Sequence, residues 1–447
     1  MPGGPTDRRA QVSALRTAPG APEPRPIGVR ELTALLSLSM ALAALGIDLL
    51  LPAFDEIRVD FGMAPGATAV TGLVTTYFLG LAIGQLCYGP VADRFGRRRA
   101  LYLGYGIYGV GAVLSALSPN LALVLASRFV WGLGAAGPRV VTLAVVRDRF
   151  HGERMSRAMS SIMAVFILVP VLAPALGAGA LVLVSWRWVL GACAVAALAM
   201  SIWARRLPET LRAEDRIERL RFGPVLRSGR VVMSHRRTVG YMLALTSLYG
   251  VFTSYLGSSE NIIGETFGRA ELFPLIFGVL AAVMGVAMLV NGRIVERMGV
   301  RRLAHTALVT YVALAGAYAA VAVLTGGRPP LAVFLVGTGA MLAAHSFLIP
   351  NFNAIAMQPM ARVAGTASSV IGSIQIAGGA LLGSVLDQSF DGTIRPLVFG
   401  FLGYGVLALV LVLYAERGEL FGDRLGVSDG EPPEVVVAGT PRAPDPD

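Results

Sequence analysis

Residues 89–99 read Gly-Pro-Val-Ala-Asp-Arg-Phe-Gly-Arg-Arg-Arg, and residues 291–302 read Asn-Gly-Arg-Ile-Val-Glu-Arg-Met-Gly-Val-Arg-Arg. Gly89, Asp93, Arg94, Gly96, Arg98 and Arg99 align with Gly292, Glu296, Arg297, Gly299, Arg301 and Arg302 at one constant offset of 203 residues. Each copy sits between two long apolar runs. Each reads as a helix exit, a tight glycine-bearing turn and a basic anchor. A chain that carries the same hinge twice is built from two homologous halves.

The apolar runs set the medium. Of 447 residues, 55% are hydrophobic and only 15% are charged, with a mean hydropathy of +0.65. Runs of about 20 apolar residues recur, the length that crosses a bilayer as a helix. They are apolar nearly all round, unlike the one-sided helices of a soluble core. An all-α polytopic membrane protein follows. All 38 basic residues are arginine. The lack of lysine excludes a Walker-type phosphate loop and Schiff-base chemistry, so no direct ATP drive is expected. Cys87 and Cys193 fall inside apolar runs and imply no disulfide framework. The four histidines lack metal-ligand spacing, so neither metal nor cofactor is expected.

Twelve spans are predicted, six in each half. The first six are Leu32–Phe54, Ala67–Gly89, Ala100–Ser118, Leu121–Val145, Ala158–Val184 and Trp188–Ala204. The second six are Val239–Ile262, Leu272–Gly292, Leu303–Thr325, Leu331–Ala354, Ala364–Leu386 and Pro396–Tyr414. The organisation is a disordered tail (1–31), a six-helix bundle (32–204), a polar central loop (205–238), a second bundle (239–415) and a disordered tail (416–447). The first apolar run leads into a full span, so a cleaved signal peptide is not expected. With both ends placed in the cytoplasm, 31 arginines fall on the inside, 5 on the outside and 2 within a span. The positive-inside rule then sets both termini and the central loop in the cytoplasm. The same rule turns the charge of +10 into topology, and nucleic acid is not an expected partner.

Six plus six helices, a basic central loop and a duplicated hinge resemble the major facilitator superfamily. Gly89–Arg99 resembles its loop between helices 2 and 3. Asp48-Leu49-Leu50-Leu51-Pro52-Ala53 resembles the helix-1 motif of the 12-helix drug:proton antiporters, and Arg128-Phe129-Val130-Trp131-Gly132-Leu133-Gly134 their helix-4 motif. Ala173-Pro174-Ala175-Leu176-Gly177-Ala178-Gly179 resembles their helix-5 antiporter motif, carried here by Pro174 and Gly177. Val146-Arg147-Asp148 and Ala364-Gly365-Thr366-Ala367-Ser368-Ser369 are similar to the bicyclomycin/chloramphenicol-resistance subfamily. The resemblance implies a monomer in the bacterial inner membrane that exchanges protons for small amphipathic or drug-like compounds by alternating access.

The residues give their own reading. Asp48 lies deep in an apolar run, where an ionised carboxylate costs at least ~2.5 kcal/mol. Helical rise places Asp48 ~24 Å and Arg128 ~20 Å from the cytoplasmic side of a core ~30 Å thick. They are expected at similar depth, as a proton-coupling pair. The alternatives are a helix-end role for Asp48 and backbone-bonding for Arg128. Arg139 is a candidate for an anionic substrate group. Gly89, Asp93, Arg94, Gly96, Arg97, Asp148, Gly292, Glu296, Arg297 and Gly299 are read as conformational. Asp93 is expected at a helix N-terminus, and Asp148 beside Arg94 or Arg97. Tyr77, Tyr255, Glu260, His345, Asn351, Asn353 and Gln375, with the aromatics Phe78, Tyr249 and Phe252, are candidates for a cavity, set against plain packing or interhelical bonding. Gly132–Gly137 reads as a close-packing surface.

The rival readings are an exporter of a native metabolite such as an amino acid derivative or sugar, a permease driven by a separate ATPase, and a membrane-embedded enzyme. The enzyme would need a catalytic cluster at one membrane face, and the sequence offers none.

Overall fold

A computed structural model describes residues 27–212, 214–217 and 223–421. Of the tails expected at 1–31 and 416–447, residues 1–26 and 422–447 lie outside the described residues, while Val29–Glu31 open the first helix.

Eleven stretches are long and apolar enough to cross a membrane. One of them, Leu331–Gln388, is two helices joined by a 3-10 turn at Gln358–Val363. The described residues therefore supply the twelve spans. In the first half they are α1 (Val29–Asp48), α3 (Gly72–Phe95), α4 (Arg97–Leu117), α5 (Leu121–Arg149), α6 (Gly152–Leu181) and α7 (Trp186–Trp203). A short α2 (Phe54–Asp60) follows α1. The central segment contains α8 (Gly223–Ser234). The second half is α9 (Arg236–Asn261), α10 (Phe273–Met298), α11 (Val300–Leu324), α12 (Leu331–Met357), α13 (Ala364–Gln388) and α14 (Arg395–Ala415). Helix alternation puts both hinges at one end of the bundle, the hinge end. Asp60 and Asn261 lie at the opposite, far end.

Among the boundaries that depart from expectation, three do so for clear local reasons. The first span does not run unbroken to Phe54. It ends at Asp48, and a 3-10 turn with Pro52 precedes α2, because proline cannot donate to the preceding turn. The second and eighth spans do not stop at Gly89 and Gly292. They continue to Phe95 and Met298, and the chain turns at Gly96 (φ +95°) and Gly299 (φ +77°). With ψ near 155° these backbones occupy a region open essentially to glycine alone.

Small residues set how closely helices approach. A Cβ on Gly132 of α5 would sit 1.9 Å from Tyr77 O of α3, and one on Gly80 would sit 2.0 Å from Phe129 O. The glycine-rich run of α5 is thus a packing surface, as small residues are in membranes. The halves meet along two seams. At one, Ser373 of α13 donates to Ala82 O of α3 at 2.8 Å. At the other, Gly278 and Gly285 of α10 face Val171 and Ile167 of α6. Leu168, Leu172 and Leu176 of α6 and Leu407 and Val410 of α14 face outward, as lipid-facing side chains must.

Candidate functional site

Asp48 is the last residue of α1 and is buried. No ion pair involves it among the described residues. Its expected partner Arg128 is fully buried nearby but bonds to backbone. Arg128 Nη1 donates to Gly46 O at 2.6 Å, and Nε donates to Leu73 O at 3.2 Å. The similar-depth expectation therefore agrees with the geometry, because Arg128 grips the turn just before Asp48. The direct pair is not formed, because α1 offers Arg128 a carbonyl first. Arg128 lies 4.5 Å from the Tyr77 ring centroid and 4.8 Å from that of Trp131. Tyr77 Oη donates to Ala43 O, and Tyr108 Oη to Leu42 O. Tyr77 is thus a wall of this cage, fully buried, and does not line an open cavity. The helix-5 motif supports the same spot from behind. Pro174 and Gly177 are buried in α6, and a Cβ on Gly177 would reach within 2.3 Å of Leu49 O.

Between the halves runs an aromatic strip. Phe78 of α3 meets Tyr249 of α9 with centroids 5.8 Å apart. Tyr249 meets Phe252 at 5.7 Å, and Phe252 stacks on His345 of α12 at 5.3 Å. Tyr249 and Phe252 are only half-buried, whereas His345 is buried with Nδ1 unpartnered. Tyr255 stacks on Phe277 at 5.5 Å with its hydroxyl unpartnered. Arg139 of α5 is half-buried. These residues share one interior. Gln375 of α13 is half-buried near the seam.

Other candidates fall elsewhere. Asn351 Nδ2 donates to Asn291 Oδ1 and Phe347 O, both at 2.7 Å. It ties α12 to α10 rather than facing a cavity. Asn353 is exposed toward the hinge end. Glu260 is at the far end, and it does not stand open. Its carboxylate accepts from Arg58 Nη2 at 2.9 Å, and Arg58 also bonds Asp55 and Asn261. Arg58, one of the five arginines counted on the outside, is 2% exposed.

The hinge end shows the two copies used differently. Asp93 bonds Arg97 Nη1 at 2.5 Å rather than a neighbouring helix N-terminus, and Arg97 Nε bonds Asp148 at 2.9 Å. Asp148 thus takes Arg97, while Arg94 stacks over Phe95. The N-terminus of α4 is capped by Glu209, which accepts from the amides of Arg97 (2.8 Å) and Arg98 (3.3 Å). In the second copy Glu296 and Arg297 are exposed, as are Gly292 and Gly299. The anchoring acid there is Glu416, which bonds Arg237, Arg301 and the Tyr241 hydroxyl. Glu416 was placed in a disordered tail. It is instead buried, because the chain after α14 folds back until Phe421 N donates to His305 Nδ1 at 3.1 Å. Burial pushes the Glu416 carboxyl up, but Arg237 and Arg301 outweigh it and hold it below the usual carboxylate range.

Sequence reasoning missed Arg58, Glu209, Glu416 and Asp387. The last two were cut off by span ends set one or two residues short.

Twelve helices in two halves around a buried acid and a caged arginine define a secondary transporter fold. Residues 36–384 match the Major Facilitator Superfamily model, and the chain belongs to that family. A bicyclomycin resistance protein homolog of Haemophilus influenzae is 30% identical, over 85% of this chain and 94% of its own. The multidrug resistance protein MdtL of Escherichia fergusonii is 26% identical over 86% and 96%. Both of these relatives are named as resistance proteins. Among solved structures, a D-xylose–proton symporter matches with a TM-score of 0.71 at 14% identity, over 87% of this chain and 97% of that one. The human organic anion transporter MFSD10 gives 0.60 at 20%, over 86% and 99%. At these identities the structures attest the fold alone.

Proposed function

We propose that this transporter is a proton-coupled efflux antiporter for small amphipathic or drug-like compounds, with Asp48 as its coupling acid. The observation that carries the reading is the Asp48 carboxyl, buried in the membrane interior with no cation paired to it among the described residues. An acid in that setting is stable when neutral and is stabilised as an anion only by water or a bound cation. Proton and cationic substrate then compete for one carboxylate, which is the minimum an exchanger requires. Arg128 holds the helix end on which Asp48 sits. The half-buried rings of Tyr249 and Phe252 offer apolar contact to the substrate, with Arg139 and His345 at the margins. The names of the two relatives support drug export. The arginine asymmetry orients the protein with its hinge end and both termini in the cytoplasm. The far end, closed by Arg58 and Glu260, is then the outer face, and the halves rock about the interior between them.

Dye efflux from proteoliposomes tests this, comparing wild type with Asp48→Asn, with and without a proton ionophore. Wild-type efflux should collapse with the ionophore, and Asp48→Asn should fall at least tenfold at equal reconstitution. Efflux that survives the ionophore sinks proton coupling. An ionophore-sensitive Asp48→Asn moves the proton to another group.

A further inference from the structure

The proposed mechanism leaves a second buried acid unused. Asp387, near the end of α13, is 2% exposed. Ser254 Oγ of α9 donates to its Oδ1 at 2.7 Å. Thr71, in the turn that opens α3 of the opposite half, approaches the same point, with its hydroxyl donating to Thr68 O at 2.8 Å. The three helices meet this closely because position 257 of α9 is glycine. A Cβ there would lie 2.6 Å from Asp387 Oδ2 and 3.3 Å from Thr71 Cβ. Asp387 therefore sits in the joint where the two halves seal the far end. No ion pair involves it among the described residues. Toward the far end of the packed elements, the titratable or charged groups are Arg395 and Tyr404 of α14, the latter's hydroxyl donating to Leu382 O, Tyr255 of α9, stacked on Phe277, and Glu260 of α9 with Arg58. Arg58 is committed to Glu260, Asp55 and Asn261.

We propose that Asp387 is a proton-binding site of the outer seam, which takes up a proton from the outer medium as the seam closes and returns it as the seam opens. This rests on the alternating-access reading and its orientation. Closing removes water from the carboxyl, and nothing positive replaces it. A sealed carboxylate without a cation is costly, whereas the neutral acid keeps its bond from Ser254 and is accommodated. Opening pulls Thr71 away, admits water and lets the acid ionise. The proton enters and leaves on the same side, so Asp387 carries no net current. It links outer closure to outer pH, separately from coupling at Asp48. The sign is fixed by counting. The closed state holds one more proton, so the closed-to-open ratio falls as pH rises, by up to about tenfold per pH unit. Glu260 acts in the opposite sense, because protonating it weakens its bond to Arg58 as pH falls.

The test measures the outer distance between spin labels at Ala64→Cys and Ala270→Cys, one in each half and both exposed. Native cysteines are replaced and Asp48→Asn is present throughout to silence that titration. Protein in lipid nanodiscs is measured from pH 5 to 9. With Asp387 intact, the long-distance population should grow as pH rises. In Asp387→Asn, an isostere of the neutral acid, the long-distance population should no longer grow as pH rises, and any response left is the opposite one from Glu260. Asp387→Ser gives a second neutral variant should the asparagine disturb folding. Persistence of the intact pH response in both variants overturns the proposal, and so does opening as pH falls with Asp387 intact. A single distance at every pH also overturns it, while the efflux reading would still be judged by the ionophore experiment.

Discussion

Arg128 shows why an arginine is needed where a bare charge would not suffice. Its guanidinium spans two helices by donating to Gly46 O and Leu73 O, and its faces lie against Tyr77 and Trp131. A lysine keeps the charge but has neither the fork nor the plane. Arg128→Lys should therefore cost about 2 kcal/mol, one charge-assisted bond. It should also lower efflux, because the end of α1 that carries Asp48 loses its clamp. Thermal unfolding in detergent and efflux at equal expression check this. Unchanged values in both would mean that the backbone bonds are incidental. Asp48 and Arg128 were legible in sequence because a charge in a 20-residue apolar run is expensive and stands out. Their separation was not, because a choice between carboxylate and carbonyl turns on a few ångströms that helical rise cannot supply.

At the scale of the element, the two hinges share a sequence and a backbone but not their surroundings. A Cβ at Gly96 would meet Glu209 Oε2 at 2.2 Å, whereas one at Gly299 would meet nothing within 4 Å. Gly299→Ala should cost about 1–3 kcal/mol from backbone strain alone. Gly96→Ala should cost measurably more, because it also displaces the carboxylate that caps α4. The paired melting temperatures test this, and equal losses would dismiss the role of Glu209. The repeat gave the glycine at 96 and again at 299 by alignment. It could not give Glu209 and Glu416, which lie 112 residues from Arg97 and 115 from Arg301. Those partners are found only when the chain beyond each six-helix set returns to the hinge end.

Across the whole molecule, the described conformation is sealed at the far end by the ion pair of Arg58 and Glu260, which joins the two halves across 202 residues of sequence. Glu260→Gln leaves Arg58 buried with a weaker partner and should favour opening. A cysteine at Ser259, fully buried now, should then react with an impermeant maleimide on the order of tenfold faster, equivalent to about 1.4 kcal/mol. An unchanged rate would show that the pair does not hold the seam. The sequence by itself determined the medium, the twelve spans and the doubling of the hinge. These rest on local quantities, namely apolar run length, charge frequency and self-similarity at a fixed offset. Only the tertiary structure decided which acids are paired and which stand alone. Glu260 looked like a free cavity acid and is bound to Arg58. Asp387 fell just past the predicted span end at Leu386 and is sealed in the seam. The physical reason is that the cost of a buried charge depends on what lies within about 4 Å of it, and that distance is set by helices from both halves.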